Sequence, residues 1–262
     1  MKTRTLTILG LAIVVGLLVA CGGGGSGGGG GNNPPPPPPT LDEQLRAVIA
    51  AKGLTGDPTT GRGLPSINEP VAQLGKLLFF SKSLSGDMDT ACASCHHPAL
   101  GGGDALAMPV GTGAIDPDVV GPGRQRADGL PNVGRHSQSV FNVGLYDAAM
   151  FWDSRVESIG KEAGQNGAGS GIRTPESALH VADPLVAPGS SLVAAQARFP
   201  VVVPEEMLGS FMPGASPEAV RQRLAERIGD YGAGAGELPN NNWLAAFQAA
   251  FASAAPAEQL IT

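Results

Sequence analysis

Five consecutive residues, Cys92-Ala93-Ser94-Cys95-His96, constrain this 262-residue chain more than any other stretch of it. Two thiols three positions apart can each add to a vinyl group of a porphyrin, and the histidine that follows can reach the iron from below. A fold built around that arrangement must leave a slot for a flat, largely apolar ring. A thioredoxin-type redox pair and half of a zinc site share the spacing. The first wants a strand–helix setting, and the second needs further Cys or His at matching intervals. Neither surrounds these residues. The sequence therefore points to one covalently held c-type haem, with His96 as an axial iron ligand.

The N-terminus favours the same reading, because export suits haem attachment. Lys2 and Arg4 flank the start of an almost unbroken apolar stretch at residues 6–20, the pattern of an export signal. It is shorter than the roughly 20 residues of a membrane-spanning helix. Its end, Leu18-Val19-Ala20-Cys21, resembles a bacterial lipobox, which implies cleavage before Cys21 and a lipid on that thiol. An ordinary secretory signal with a chance cysteine is the alternative. Residues 21–39 are a glycine run, Asn32-Asn33 and six prolines, a flexible piece followed by a stiff one. The expected organisation is a signal peptide at 1–20, a tether at 21–40 and a haem domain at 41–262. Its place is the periplasmic side or the cell surface, with membrane contact through the lipid only. All three cysteines are then assigned, so core or cofactor must hold the fold without a disulfide.

Hydrophobic residues make up 42% of the chain, enough for a buried core. The net charge of −6, with no run of Lys or Arg, argues against a nucleic-acid partner. Thr40 with Glu43 makes a capping box ahead of Leu41, Leu45, Val48 and Ile49 on one helical face. Pro70 suits a first turn, and Val71, Leu74, Leu77 and Leu78 follow at helical spacing. Ser216-Pro217-Glu218 opens a helix with Val220, Leu224 and Ile228, and Trp243, Phe247 and Phe251 recur at every fourth position. Residues 101–132 and 164–189 are rich in Gly, Pro and Asp and read as long loops, of the kind that wrap a cofactor. No run of alternating strand residues is visible. The expected fold class is all-α, a cytochrome c-like domain with long Gly/Pro-rich loops.

Further motifs carry a resemblance. Leu74-Gly75-Lys76-Leu77-Leu78-Phe79-Phe80 and Leu84-Ser85-Gly86 precede the cysteines. Ser139-Val140-Phe141-Asn142 is similar to a "PTxxN" signature, and Phe151-Trp152-Asp153-Ser154-Arg155 to "FWDGR". Gln196-Ala197-Arg198-Phe199-Pro200 and Pro204-Glu205-Glu206-Met207 are similar to "QAxxP" and "PxEM". In this order, from about residue 74 to 209, they resemble the bacterial di-haem cytochrome c peroxidases and their MauG-like relatives. The resemblance implies hydrogen peroxide as substrate and a small cytochrome or other redox protein as electron donor. It implies that Gln196 and Glu206 stand over the open face of the haem, where a carboxylate can move the peroxide proton. Trp152 corresponds to the aromatic between the family's two haems, with core packing as the alternative. Arg155 corresponds to a cation for a haem propionate, or to a structural salt bridge. Asn142 corresponds to one ligand of a calcium ion, which needs six or more oxygens.

Two departures stand out. The 262 residues hold a single Cys-x-x-Cys-His, so the family's second haem domain is expected to be absent, leaving either a one-domain variant or a truncated copy. No histidine occurs between residues 98 and 135, where the family places a removable distal ligand. His136 is the nearest candidate, and His97 is expected to face solvent. A peroxidase, an electron carrier with six-coordinate iron and an inactive fragment remain as functions.

Overall fold

The computed structural model describes residues 36–54 and 56–261. The expected signal at 1–20, the lipid-bearing Cys21 and the tether up to residue 35 lie outside the described residues. The chain divides into two units after Leu54. In the first, α1 (Leu41–Ala51) starts where its cap predicts. The Thr40 hydroxyl accepts the Glu43 N–H at 3.3 Å, and the Glu43 carboxylate accepts the Thr40 N–H at 2.7 Å. Reciprocal capping satisfies two of the amides that a helix start leaves without partners. Every residue of α1 is exposed, its apolar face included.

In the second unit, α2 (Pro70–Phe80) begins on a proline, whose missing N–H is no loss in a first turn. It buries Leu74, while Val71 and Leu77 of the same stripe stay exposed. The haem motif forms α3 (Cys92–Cys95), a single turn. Between it and the next regular element lie long loops pinned by isolated bridges, His97 to Gly103 and Ala114 to Arg126.

The fold is not all-α. Three short strands, β1 (Ala149–Met150), β2 (Val156–Ser158) and β3 (Ile172–Arg173), form an antiparallel sheet in that order. Met150 lies opposite Val156, and Ser158 opposite Ile172. Strands of two or three residues are too short for alternation to register in a sequence, and β3 falls inside the stretch at 164–189 expected to be loop. The sheet packs against α4 (Leu192–Gln196), burying Met150, Val156, Ile172, Leu192, Ala195 and Phe199 together. Next come α5 (Pro217–Gly229), α6 (Trp243–Ala250) and α7 (Ala257–Leu260). Ser216 caps α5 by accepting the Ala219 N–H at 3.2 Å, and Val220, Leu224 and Ile228 are buried as their spacing predicts. Leu208 joins Val220 and Leu224 in a second core cluster. The segment from Phe199 to Leu208 therefore has one end in each core, which fixes the short stretch between them.

The turn joining β1 to β2 is strained. Phe151 and Ser154 both take left-handed backbone, with φ of 65° and 55°, a conformation that costs L-residues about 1–2 kcal/mol. Ser154 stands where the "FWDGR" signature has glycine, and its hydroxyl makes no hydrogen bond among the described residues. Ser154→Gly is therefore expected to stabilise the protein by about 0.5–1 kcal/mol. A thermal melt checks this, and an unchanged or lower midpoint would show that the serine side chain contributes something else.

Candidate functional site

Three-residue spacing on one helical turn brings Cys92 and Cys95 to the same face of α3. The His96 N–H donates to the Cys92 carbonyl at 3.0 Å, and the Ser94 hydroxyl accepts the Ala91 N–H at 3.0 Å, which locks the turn. Both thiols are free and half-buried. The His96 Nδ1 lies 3.2 Å from the Gly102 carbonyl and 3.0 Å from that of Gln138. Carbonyls only accept, so Nδ1 carries the proton and Nε2 keeps the lone pair that a metal needs.

A cavity of about 360 Å³ opens beside this turn, within the range of about 300–1,000 Å³ usual for bound cofactors. Its wall brings together Cys92, Cys95, His96, His136, Trp152, Arg155, Gln196 and Glu206. Asn142 does not line it; that residue is exposed, with left-handed backbone at φ 60°. The residues present fit a c-type haem. Two free thiols and a histidine with an available Nε2 share one wall, and the side chains of Gln196 and Glu206 have no hydrogen-bond partner among the described residues.

The thiol electrostatics weigh against the other readings of the motif. Burial above all, with Asp104 nearby, pushes the Cys95 thiol up to about 12, partly offset by Arg124. Burial raises Cys92 as well. A redox-active pair needs a lowered thiol pKa. A zinc site needs more ligands, and among the described residues no group of three or more Cys, His, Asp or Glu could hold a metal ion.

Glu206 is aimed by an unusual turn. Residues Pro204–Leu208 form one π-helical turn, in which the Val203 carbonyl accepts the N–H groups of Glu206, Met207 and Leu208 at 3.1, 3.1 and 3.0 Å. Such turns concentrate at functional sites. Met207 is buried, and its carbonyl is held by the Ser85 hydroxyl at 2.8 Å and the Gly86 N–H at 2.8 Å. This gives Leu84-Ser85-Gly86 a physical role. The serine supplies a buried donor, and a Cβ on Gly86 would collide with the Leu208 carbonyl and Phe211. On the other side, the Glu205 carbonyl accepts the Thr112 N–H at 3.2 Å and the Asn132 amide at 3.1 Å. Clamped in this way, Glu206 turns to the cavity while Glu205 is exposed. Burial raises the Glu206 pKa above the ordinary carboxylate range, with Arg155 opposing the shift and Glu205 adding to it.

Trp152 is 68% exposed, so core packing is not its role. The Arg135 guanidinium lies 4.0 Å from its ring centre. Arg155 lines the cavity and pairs with Asp153 at 3.0 Å, which is the structural salt bridge expected as the alternative for it. The His136 Nδ1 is 2.7 Å from the Leu106 carbonyl, which leaves its Nε2 free. His97 corrects the expectation of solvent exposure. It is half-buried, edge-on to Phe80 at 6.4 Å, and its Nδ1 accepts the Ala99 N–H at 3.2 Å.

Arg124 has no counterpart in the sequence reading, since a lone arginine in a Gly/Pro loop gives no periodic or motif signal. It is 2% exposed. Its guanidinium donates to the carbonyls of Val110, Gly111, Pro117, Val119 and Asp89 at 2.8–3.2 Å, tying the loop to the residues just before the haem motif. Arg124→Met would leave several buried carbonyls unsatisfied, each worth about 1–3 kcal/mol and not fully additive. The expected loss is more than about 3 kcal/mol in urea denaturation. A loss below about 1 kcal/mol would mean that water replaces the guanidinium.

The model of the di-haem cytochrome c peroxidase family matches residues 69–261. Cytochrome c551 peroxidase of Pseudomonas aeruginosa is 36% identical over 102 residues, 39% of this chain and 24% of its own. Cytochrome-c peroxidase IdrP2 of Pseudomonas sp. (strain SCT) is 52% identical over 92 residues, 34% of this chain and 20% of its own. Methylamine utilization protein MauG of Methylorubrum extorquens is 35% identical over 99 residues, 38% of this chain and 23% of its own. The aligned stretch thus spans less than a quarter of each relative's length.

Proposed function

The chain belongs to the di-haem cytochrome c peroxidase family, and we propose on that premise that it reduces hydrogen peroxide with electrons from a small cytochrome or similar redox partner. Cys92 and Cys95 would hold one haem through thioethers and His96 through its Nε2. When bound, the haem would supply the one-electron redox chemistry that peroxide reduction needs. The rest falls to the chain's own side chains. Glu206 takes a proton from one peroxide oxygen and returns it to the other, for which a carboxyl tuned above its usual pKa is suited. Gln196, neutral and without a partner, orients the peroxide by hydrogen bonding. Trp152, exposed at the cavity rim, is the entry point for electrons. A lipid on Cys21 would keep the domain tethered on the periplasmic side.

One observation carries this reading: two polar side chains without partners, one a carboxyl of raised pKa, share a cavity wall with the cysteines and His96. His136, with its free Nε2 on the same wall, favours a second reading, an electron carrier with six-coordinate iron. Visible spectra of the purified protein, oxidised and reduced, followed by stopped-flow mixing with peroxide and a reduced cytochrome, separate the two. Low-spin spectra in both states with no peroxide-dependent oxidation of the donor would leave the carrier.

A further inference from the structure

We infer that Arg135 is the cation that anchors a carboxylate of the cofactor, a haem propionate, while the same guanidinium caps the Trp152 ring; this rests on the haem reading above. Haem carries two carboxylates, and a cavity that already holds Glu206 accepts more negative charge only where cations face it. Two arginines line the wall, Arg135 and Arg155. Arg155 is already paired: its Nε lies 3.0 Å from Asp153, its guanidinium lies over the Phe151 ring at 4.6 Å, and its charge acts on Glu206. Arg135 has no carboxylate partner among the described residues. Its contact is the Trp152 ring, 4.0 Å away. A guanidinium held by its central carbon over a ring spends none of its N–H donors on a carboxylate, so its planar fork remains available to one.

The backbone holds Arg135 in place for this. Residues 133–138 run along the cavity wall without a break. The segment is pinned next to Arg135, where the His136 ring meets the Leu106 carbonyl at 2.7 Å. Three residues on, the Gln138 carbonyl receives the Nδ1 proton of His96 at 3.0 Å. One strip of chain therefore orients the proximal histidine and presents a cation at the same cavity. Its charge also has an electrostatic effect. A positive charge on the wall of the haem cavity disfavours the ferric state, so removing it should lower the midpoint potential.

The test uses full-length protein matured in cells with the cytochrome c assembly machinery, as wild type, Arg135→Gln, Arg135→Lys and Arg155→Gln. Haem staining on denaturing gels first reports whether the chain carries haem at all. Resonance Raman then reads the propionate bending band, which responds to hydrogen bonding at the carboxylates. Potentiometric titration gives the midpoint. The expected result is a shifted propionate band and a lower midpoint in Arg135→Gln, with the band unmoved in Arg155→Gln. Arg135→Lys, which keeps the charge but not the planar fork, should shift the band with little change in midpoint, and it serves if the glutamine variant fails to mature. A band that moves in Arg155→Gln but in neither Arg135 variant, or in none of the three, would overturn the inference while the haem reading stands. A wild type with no haem stain would overturn both.

Discussion

Replacing Cys92 and Cys95 together by alanine is expected to abolish covalent haem, so that a denaturing gel stained for haem shows a band for wild type and none for the variant. Each single change should weaken or remove the band, because each thioether is one of two bonds between ring and chain. The reason to expect a loss of attachment and not of fold is local. The Cys92 sulfur touches the Met207 sulfur at 4.0 Å and the Cys95 sulfur lies 3.8 Å from the Val110 carbonyl. Both side chains are only half-buried, and an alanine leaves little space behind at such a site. Circular dichroism should therefore show apo wild type and apo variant alike. Mass spectrometry adds a direct check, since wild type should carry the mass of one haem with neither thiol free to alkylate. A wild-type chain with both thiols alkylated after passage through the assembly machinery would sink the haem reading.

Much of the helical framework is legible from the sequence because its signals are local. Thr40, Pro70 and Ser216 mark three helix starts, and each signal depends only on the next few residues. The haem motif is legible for the same reason, as five adjacent residues. What escapes is whatever depends on distant partners. The sheet escapes because β1, β2 and β3 are each too short to alternate, and they exist only because they pair. Arg124 escapes because nearly all its partners are backbone carbonyls, which no residue type announces. Met207 and Cys92 are 115 positions apart yet have sulfurs in contact, so no spacing rule connects the Glu206 turn to the cysteines. In the sequence, only the ordered family motifs bring Gln196 and Glu206 to the haem motif. Arg135 lies outside every motif stretch of the sequence, and only the shared cavity wall and the Trp152 ring 4.0 Å from its guanidinium reveal it.

Glu206→Gln is expected to slow the reaction with peroxide by about 10²- to 10⁴-fold, the usual worth of a positioned general acid–base group, while the visible spectrum stays nearly unchanged. Glutamine keeps the shape and the hydrogen bonding but cannot take a proton. The pH profile carries the sharper signature. Glu206 must be ionised to accept the peroxide proton, and burial raises its pKa above the ordinary carboxylate range. In wild type the rate should therefore fall as pH drops through that raised pKa, at a higher pH than a solvated glutamate would give. In Glu206→Gln the same limb should be flat. An independent readout needs no peroxide. A carboxyl whose folded pKa exceeds its unfolded one contributes stability that is full below the unfolded pKa and is lost as pH rises through the folded one. Wild type should thus lose stability over that window relative to Glu206→Gln, whose neutral amide carries no such dependence. A variant that reacts with peroxide at the wild-type rate and melts with the wild-type pH dependence would place the Glu206 carboxyl in solvent. The proton transfer would then have to run through another group, and His136, with its free Nε2 on the same wall, is the next residue to replace.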